Sequence, residues 1–126
     1  MTRLLVICLG GALGTGARYL ATLLAVRWFG PDFPYGTLAV NLVGCFAIGV
    51  VHQIGAATFV LSPDVRLFLA TGVMGGLTTY SAFSYETIRL LEMGAWTAAA
   101  LNVVVTTAGS LALCALGVVV GRLVTP

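Results

Sequence analysis

This chain of 126 residues contains no lysine: its charge is six arginines and four acidic residues, with a single histidine. Charged side chains make up 8% of it, against roughly 25% in an ordinary soluble domain. That scarcity excludes a solvated globular surface. The net charge of +2 is too small to draw in nucleic acid, so none is expected as a partner. Thiols are few and odd in number, at Cys8, Cys45 and Cys114, and no metal-ligand spacing links them. Each reads as a small packing residue. Asp32 and Asp64 fall in connecting segments and His52 lacks an evident serine partner. No acid–base constellation is visible, so the chain is not expected to be an enzyme.

What it has in quantity is apolar surface, 60% hydrophobic residues with a mean hydropathy of +1.07. Four apolar runs, approximately 4–29, 35–57, 67–88 and 93–121, account for most of the length. Each suffices for a bilayer span, which needs ~20 residues at ~1.5 Å rise per residue. The links between them are short and hold turn formers and charges, as in Gly30-Pro31-Asp32-Phe33-Pro34 and Ser62-Pro63-Asp64-Val65-Arg66. One all-α, four-span membrane domain over residues 1–126 is therefore expected, in contact with lipid along its length. Arg3 ahead of an apolar run mimics a signal peptide, but Arg18 interrupts the run and three more spans follow, so the segment is read as the first span. Arg3, Arg66 and Arg122 fall on one side of the membrane, Arg27 and Arg89 on the other, with Arg18 ambiguous. Basic residues in short loops orient a membrane protein, and here they nearly balance. Two readings stay open: one weakly specified orientation, or insertion both ways followed by antiparallel dimerisation.

The third run contains Gly75-Gly76-Leu77-Thr78-Thr79-Tyr80-Ser81-Ala82-Phe83-Ser84. Paired glycines and β-branched threonines are poor material for an uninterrupted helix. In lipid every freed backbone N–H or C=O must find a partner, so a break at membrane depth has to face protein, water or an ion. Small residues at four-residue intervals (Gly10 and Gly14, Gly72 and Gly76, Gly117 and Gly121) predict close helix packing. A phosphate loop at Gly10–Gly16 is excluded, because the required Lys-Ser/Thr is absent and no strand precedes it. In the fourth run Asn102, Thr106, Ser110 and Cys114 share one helix face. The threonines are expected to bond to backbone or neighbouring helices, with Asn102 and Ser110 lining a polar route. Asn41, in the middle of the second run, must face a partner helix or a wet pathway, since an unpaired carboxamide in hydrocarbon costs several kcal/mol.

The set Gly10-Gly11 with Gly14, Ala17, Arg18 and Tyr19, then Gly36-Thr37-Leu38 with Val40-Asn41 and Gly44, then Gly75–Ser84 followed by Glu86, resembles the span signatures of the CrcB/Fluc fluoride channels. Ser110 falls where that family has a fourth-span serine. The resemblance implies a dual-topology antiparallel homodimer in the cytoplasmic (inner) membrane, passing fluoride out of the cell through two pores at the subunit interface. By the same resemblance Asn41, Tyr80, Ser81, Phe83 and Ser110 match pore residues, and Arg18 and Glu86 match vestibule positions. A structural sodium ion on the dimer axis is implied too, held by backbone carbonyls of Gly75 and Thr78. The chemistry of the residues agrees. Asn41, Ser81 and Ser110 are compact donors without fixed charge, and ring edges such as those of Phe83 and Tyr80 carry partial positive charge. This chain departs from the family in having Tyr80 for a phenylalanine and Ala82 for a small hydroxyl residue. The alternative is a proton-coupled exporter of the small multidrug-resistance type. Those proteins rely on a first-span glutamate, and this chain has Arg18 in that span instead.

Overall fold

A computed structural model describes residues 2–57 and 61–125. Helix α1 (Thr2–Phe29) ends at Gly30, whose φ of +82° L side chains rarely adopt, and α2 covers Tyr35–Ala57. The third stretch is composite. It opens with α3 (Pro63–Arg66), runs as a π-helix over Leu67–Met74, closes as α4 (Gly75–Leu77), and restarts as α5 (Tyr80–Glu92). Helix α6 (Trp96–Leu123) completes the chain. Among the described residues there is no strand.

Boundaries differ from the hydropathy runs for local reasons. The third stretch begins at Pro63 rather than at 67, because Ser62 caps it by accepting from the Val65 N–H at 3.3 Å and proline suits the first helical position. α6 starts at Trp96 rather than at 93, because Gly94 at φ +74° closes α5 first. The paired glycines do not themselves break the helix. Both stay helical, and the interruption is confined to Thr78 and Thr79.

Three helices, α1, α2 and α6, are long and apolar enough to cross a membrane, and the fourth segment is the divided one. Large apolar side chains such as Leu4, Leu9, Leu13, Leu101, Val104 and Leu111 point outward, as they do in a membrane protein whose solvent is lipid. Trp28, Phe29, Tyr35 and Trp96 are exposed together where α1 ends and α2 and α6 begin, an arrangement suited to the membrane–water interface.

Packing rests on small residues. A Cβ on Gly10 would lie 2.6 Å from the Phe68 carbonyl oxygen, and one on Gly72 would lie 2.9 Å from the Gly10 Cα. Gly76 abuts the Gly11 carbonyl and the Thr15 N–H, so α1 lies directly on the π-helix and α4. α2 and α6 pack in the same way, with Gly49 against the Cys114 carbonyl and Gly117 against the Phe46 carbonyl. Without a hydrophobic drive between helices in lipid, such close backbone approach is what van der Waals packing requires. A π-helix of eight residues is uncommon, and such segments often occur at functional sites. Beyond it Gly76 faces α1, while Gly75 has nothing within 4 Å of its Cβ direction.

Candidate functional site

Thr78 (φ −79°, ψ 154°) and Thr79 (φ −154°, ψ 114°) are the two extended residues that divide α4 from α5. Asn41 of α2 reaches across to them. Its Oδ1 accepts from the Thr79 N–H at 2.8 Å, and its Nδ2 donates to the Thr79 carbonyl at 3.1 Å. The carboxamide thus stands in for a strand neighbour and meets both backbone groups of one residue. Asn41 is 7% exposed, and its own demand for partners is met by the backbone that the break sets free. One Nδ2 proton is used, leaving the second for another acceptor.

This capping has a consequence for the carbonyls. In a continuous helix the Thr79 N–H would bond to the Gly75 C=O, and the Ala82 N–H to the Thr78 C=O. Thr79 N–H goes to Asn41 instead, and Ala82 N–H goes to Thr79 Oγ1 at 3.2 Å. The carbonyls of Gly75 and Thr78, the two expected to face a cation, therefore lose their helical donors. Of the two carbonyls between them in sequence, that of Gly76 is met by Arg18 Nε at 3.1 Å and by Thr15 Oγ1 at 3.5 Å. Arg18, expected at a vestibule, is thus placed against the break itself.

Next to the break lies a cavity of about 310 Å³ lined by Asn41, Cys45, Tyr80, Phe83, Thr106 and Ser110, among others. Four of the five residues expected to form a pore meet here. No formally charged side chain lines it. The Phe83 ring is buried, whereas Tyr80 is 80% exposed, and their ring centroids are 5.4 Å apart at 53°. Ser81 is not among the lining residues; it is exposed, with its hydroxyl 3.2 Å from Thr79 Oγ1. Lining residues that keep a donor for a guest are Asn41, through its second Nδ2 proton, and the hydroxyl-bearing Tyr80, Thr107 and Ser110.

Glu86 occupies a different cavity, about 200 Å³, together with Asp32, Thr37 and Arg89. Thr37 Oγ1 donates to Glu86 Oε1 at 2.7 Å, and Glu86 Oε2 is buried without a protein partner among the described residues. Arg18 and Glu86 do not pair. Among the described residues the ion pair is Arg3–Asp64 at 3.4 Å, which is largely exposed and contributes at most about 1 kcal/mol.

Asn102 corrects an expectation. At 1% exposure it is not among the residues lining the cavity beside the break, and its Nδ2 donates to Thr87 Oγ1 at 2.9 Å. Thr106, expected only to bond within the protein, both lines the cavity and donates to Asn102 Oδ1 at 3.3 Å. The sequence reading also missed Thr79 as a cap, although a threonine just before an aromatic helical start is an N-cap signal. It missed Thr37 as the partner of Glu86 as well, for which one chain offers no signal.

A bundle of apolar helices with one interrupted segment, capped from its neighbours and flanked by an uncharged polar cavity, defines a small integral membrane protein with a site at its interior. Residues 5–118 match the family described as CrcB-like protein, Camphor Resistance (CrcB). Curated relatives agree with that match. The chain is 54% identical over 112 residues to a protein of Anaeromyxobacter dehalogenans named fluoride-specific ion channel FluC, covering 89% of each chain. It is 51% identical over 122 residues to the protein of that name from Sorangium cellulosum, covering 97% of this chain and 96% of the relative. A third, from Geobacter sp., is 45% identical over 122 residues. The chain belongs to the CrcB family.

Proposed function

We propose that this protein is a fluoride channel that lets fluoride leave the cell passively, without an energy-coupling step. The observation that carries the reading is the cavity at the break, where Asn41, Phe83, Ser110 and Tyr80 converge with donors and ring edges but no fixed charge. Fluoride leaving water needs compact donors. A full positive charge would hold it too firmly, because conduction needs sites weak enough to leave. The relatives' shared name supports fluoride as the ion.

The assembly is a homodimer with its two chains antiparallel in the cytoplasmic membrane, and it carries one fluoride route on each side. Its support is the nearly balanced arginine distribution, together with the exposure of Tyr80, Ser81 and Gly75 on the surface beside the break. A second copy seated there would cover these groups and complete the wall of each cavity. Sodium is the structural ion on the dimer axis. Two released carbonyls, of Gly75 and Thr78, fit a hard monovalent cation, and the same pair from the second copy would complete the set. Bound there, the ion neutralises converging carbonyl dipoles at low dielectric.

The deciding experiment is efflux from liposomes holding the purified protein, with sodium present, followed by a fluoride-selective electrode. Fluoride is expected to run down its gradient while chloride stays. Retention of fluoride by intact dimers overturns the reading, and proton-dependent uptake of a cationic dye would replace it with the exporter.

A further inference from the structure

One chain of hydrogen bonds leads away from the cavity and is not used by the route described above. Thr87 Oγ1 donates to the Phe83 carbonyl at 2.7 Å, Asn102 Nδ2 donates to Thr87 Oγ1 at 2.9 Å, and Thr106 Oγ1 donates to Asn102 Oδ1 at 3.3 Å. Its direction is forced from one end. A carbonyl can only accept, so Thr87 spends its single proton on Phe83 and must accept from its other neighbour. That neighbour, Asn102, must then present Nδ2 to Thr87, which turns its Oδ1 toward Thr106. Thr106 in turn can only donate. The only proton on the Thr106 hydroxyl is therefore directed at Asn102 and not at the cavity that Thr106 lines.

We propose that Asn102 is a positioning residue for the fluoride route, which keeps the Thr106 hydroxyl turned away from the passing anion. The cavity wall thus divides. Asn41, Tyr80, Thr107 and Ser110 carry donors that are not committed to the bond chain, while Thr106, one helical turn from Ser110, has its proton committed to Asn102. If Thr106 were free to turn, it would add a further donor to the same guest and make a charge-assisted hydrogen bond that slows release. Burial supports the assignment: Asn102 is 1% exposed and joins α6 to α5, so its amide cannot turn without leaving Thr87 unpaired. The Thr106 bond, at 3.3 Å, is the longest of the three, and it is the one a nearby anion competes for.

The proposal rests on the fluoride reading, and its test separates the two. In liposomes, Asn102→Leu removes the acceptor that holds Thr106, and Thr87→Val removes the partner that fixes which way the Asn102 amide faces. Both are expected to lower maximal fluoride flux roughly tenfold and to lower the half-saturating fluoride concentration by a similar factor, the worth of one hydrogen bond to an anion. Adding Thr106→Val to either variant should restore most of the flux, since valine has no proton to offer. A merely structural role for Asn102 predicts the opposite, because a second buried substitution would not repair misplaced helices. Thr87→Val is close to isosteric and keeps the test open if Asn102→Leu does not fold. Unchanged flux in both variants, or a loss that Thr106→Val leaves in place, overturns the proposal. A readout independent of fluoride is the Asn102 side-chain amide by nitrogen-15 NMR in micelles. One of its protons should be protected from exchange in the wild type and lose protection in Thr87→Val. An unprotected wild-type amide overturns the proposal, whereas a protected amide in a protein that passes no fluoride sinks the channel reading alone.

Discussion

The two sides of the break are neighbours in sequence and opposites in chemistry. Up to Thr78 the chain ends a helix, so it offers oxygens, and the groups that come to it are the Arg18 guanidinium and the Thr15 hydroxyl, both on the Gly76 carbonyl. From Thr79 onward it begins a helix, so it offers N–H groups, and these meet oxygens, Asn41 Oδ1 and Thr79 Oγ1, while the Thr79 carbonyl accepts from Asn41 Nδ2. Helix ends carry partial charges of these signs, negative at the C-terminus and positive at the N-terminus. A single interruption therefore sets partial charges of both signs side by side, with Arg18 the one ionised side chain hydrogen-bonded beside it among the described residues. That economy matters in hydrocarbon, where one charge at the bilayer centre costs about 2.5–3.5 kcal/mol or more.

The largest effect is expected where the anion side is given the wrong sign. Asn41→Asp keeps an oxygen for the Thr79 N–H but cannot donate to the Thr79 carbonyl, and it sets a carboxylate at the cavity. Fluoride efflux should fall at least about 100-fold, consistent with a charge penalty near 3 kcal/mol. Undiminished efflux would remove Asn41 from the route and leave it only a cap.

The cation side is probed by the ion. Replacing sodium with N-methylglucamine removes the proposed occupant of the Gly75 and Thr78 carbonyls. If sodium is held at 100 times its dissociation constant, its loss lowers stability by about 2.7 kcal/mol. Thermal unfolding of the reconstituted protein, scanned against sodium concentration, measures this. A flat curve would argue that the carbonyls meet something else.

Gly75 and Gly76 then separate packing within the protomer from contact with a second copy. A methyl group on Gly76 would collide with the Gly11 carbonyl and the Thr15 N–H, so Gly76→Ala should destabilise the fold by roughly 1–3 kcal/mol. Gly75 has nothing within 4 Å, so in an isolated protomer Gly75→Ala should be neutral or slightly stabilising through helix propensity. If Gly75 lies on a dimer axis, the same change will weaken association instead, which cross-linking in liposomes can read. Equal behaviour of the two variants would erase the distinction drawn between the two faces.

The helical, membrane-embedded character and the place of the interruption were legible in the sequence because both follow from composition. Long apolar runs and a cluster of glycine and threonine state their constraints locally. Asn41 was legible as a residue needing a partner, since a carboxamide in hydrocarbon must have one, but its partner was not, because Thr79 lies 38 positions away. The roles of Asn102 and Thr106 came out reversed for a related reason. Helical spacing puts them on one face, yet which of them reaches a cavity and which a neighbouring helix depends on how α5 lies against α6. The π-helix had no sequence signal at all. Its hydrophobic residues read equally well as an α-helix.

The smallest expected effect tests the comparison most directly, since it changes one hydroxyl at a time. Thr79→Val deletes the cap on the Ala82 N–H, at a cost of about 1 kcal/mol by analogy with other N-cap losses. Thr78→Val deletes only a second bond to the Met74 carbonyl, which keeps the Thr78 N–H at 3.0 Å, and the methyl that touches Gly44 is retained. Its cost should be well under that of Thr79→Val. The variants should also differ in kind. With its cap gone, the Ala82 N–H is free to return to the Thr78 carbonyl and take up an oxygen proposed for the cation. Thr79→Val should therefore weaken the sodium dependence of unfolding, and Thr78→Val should leave it intact. If both variants show the same sodium dependence, the capping of α5 does not control the oxygens of the preceding helix, and the two sides of the break are independent.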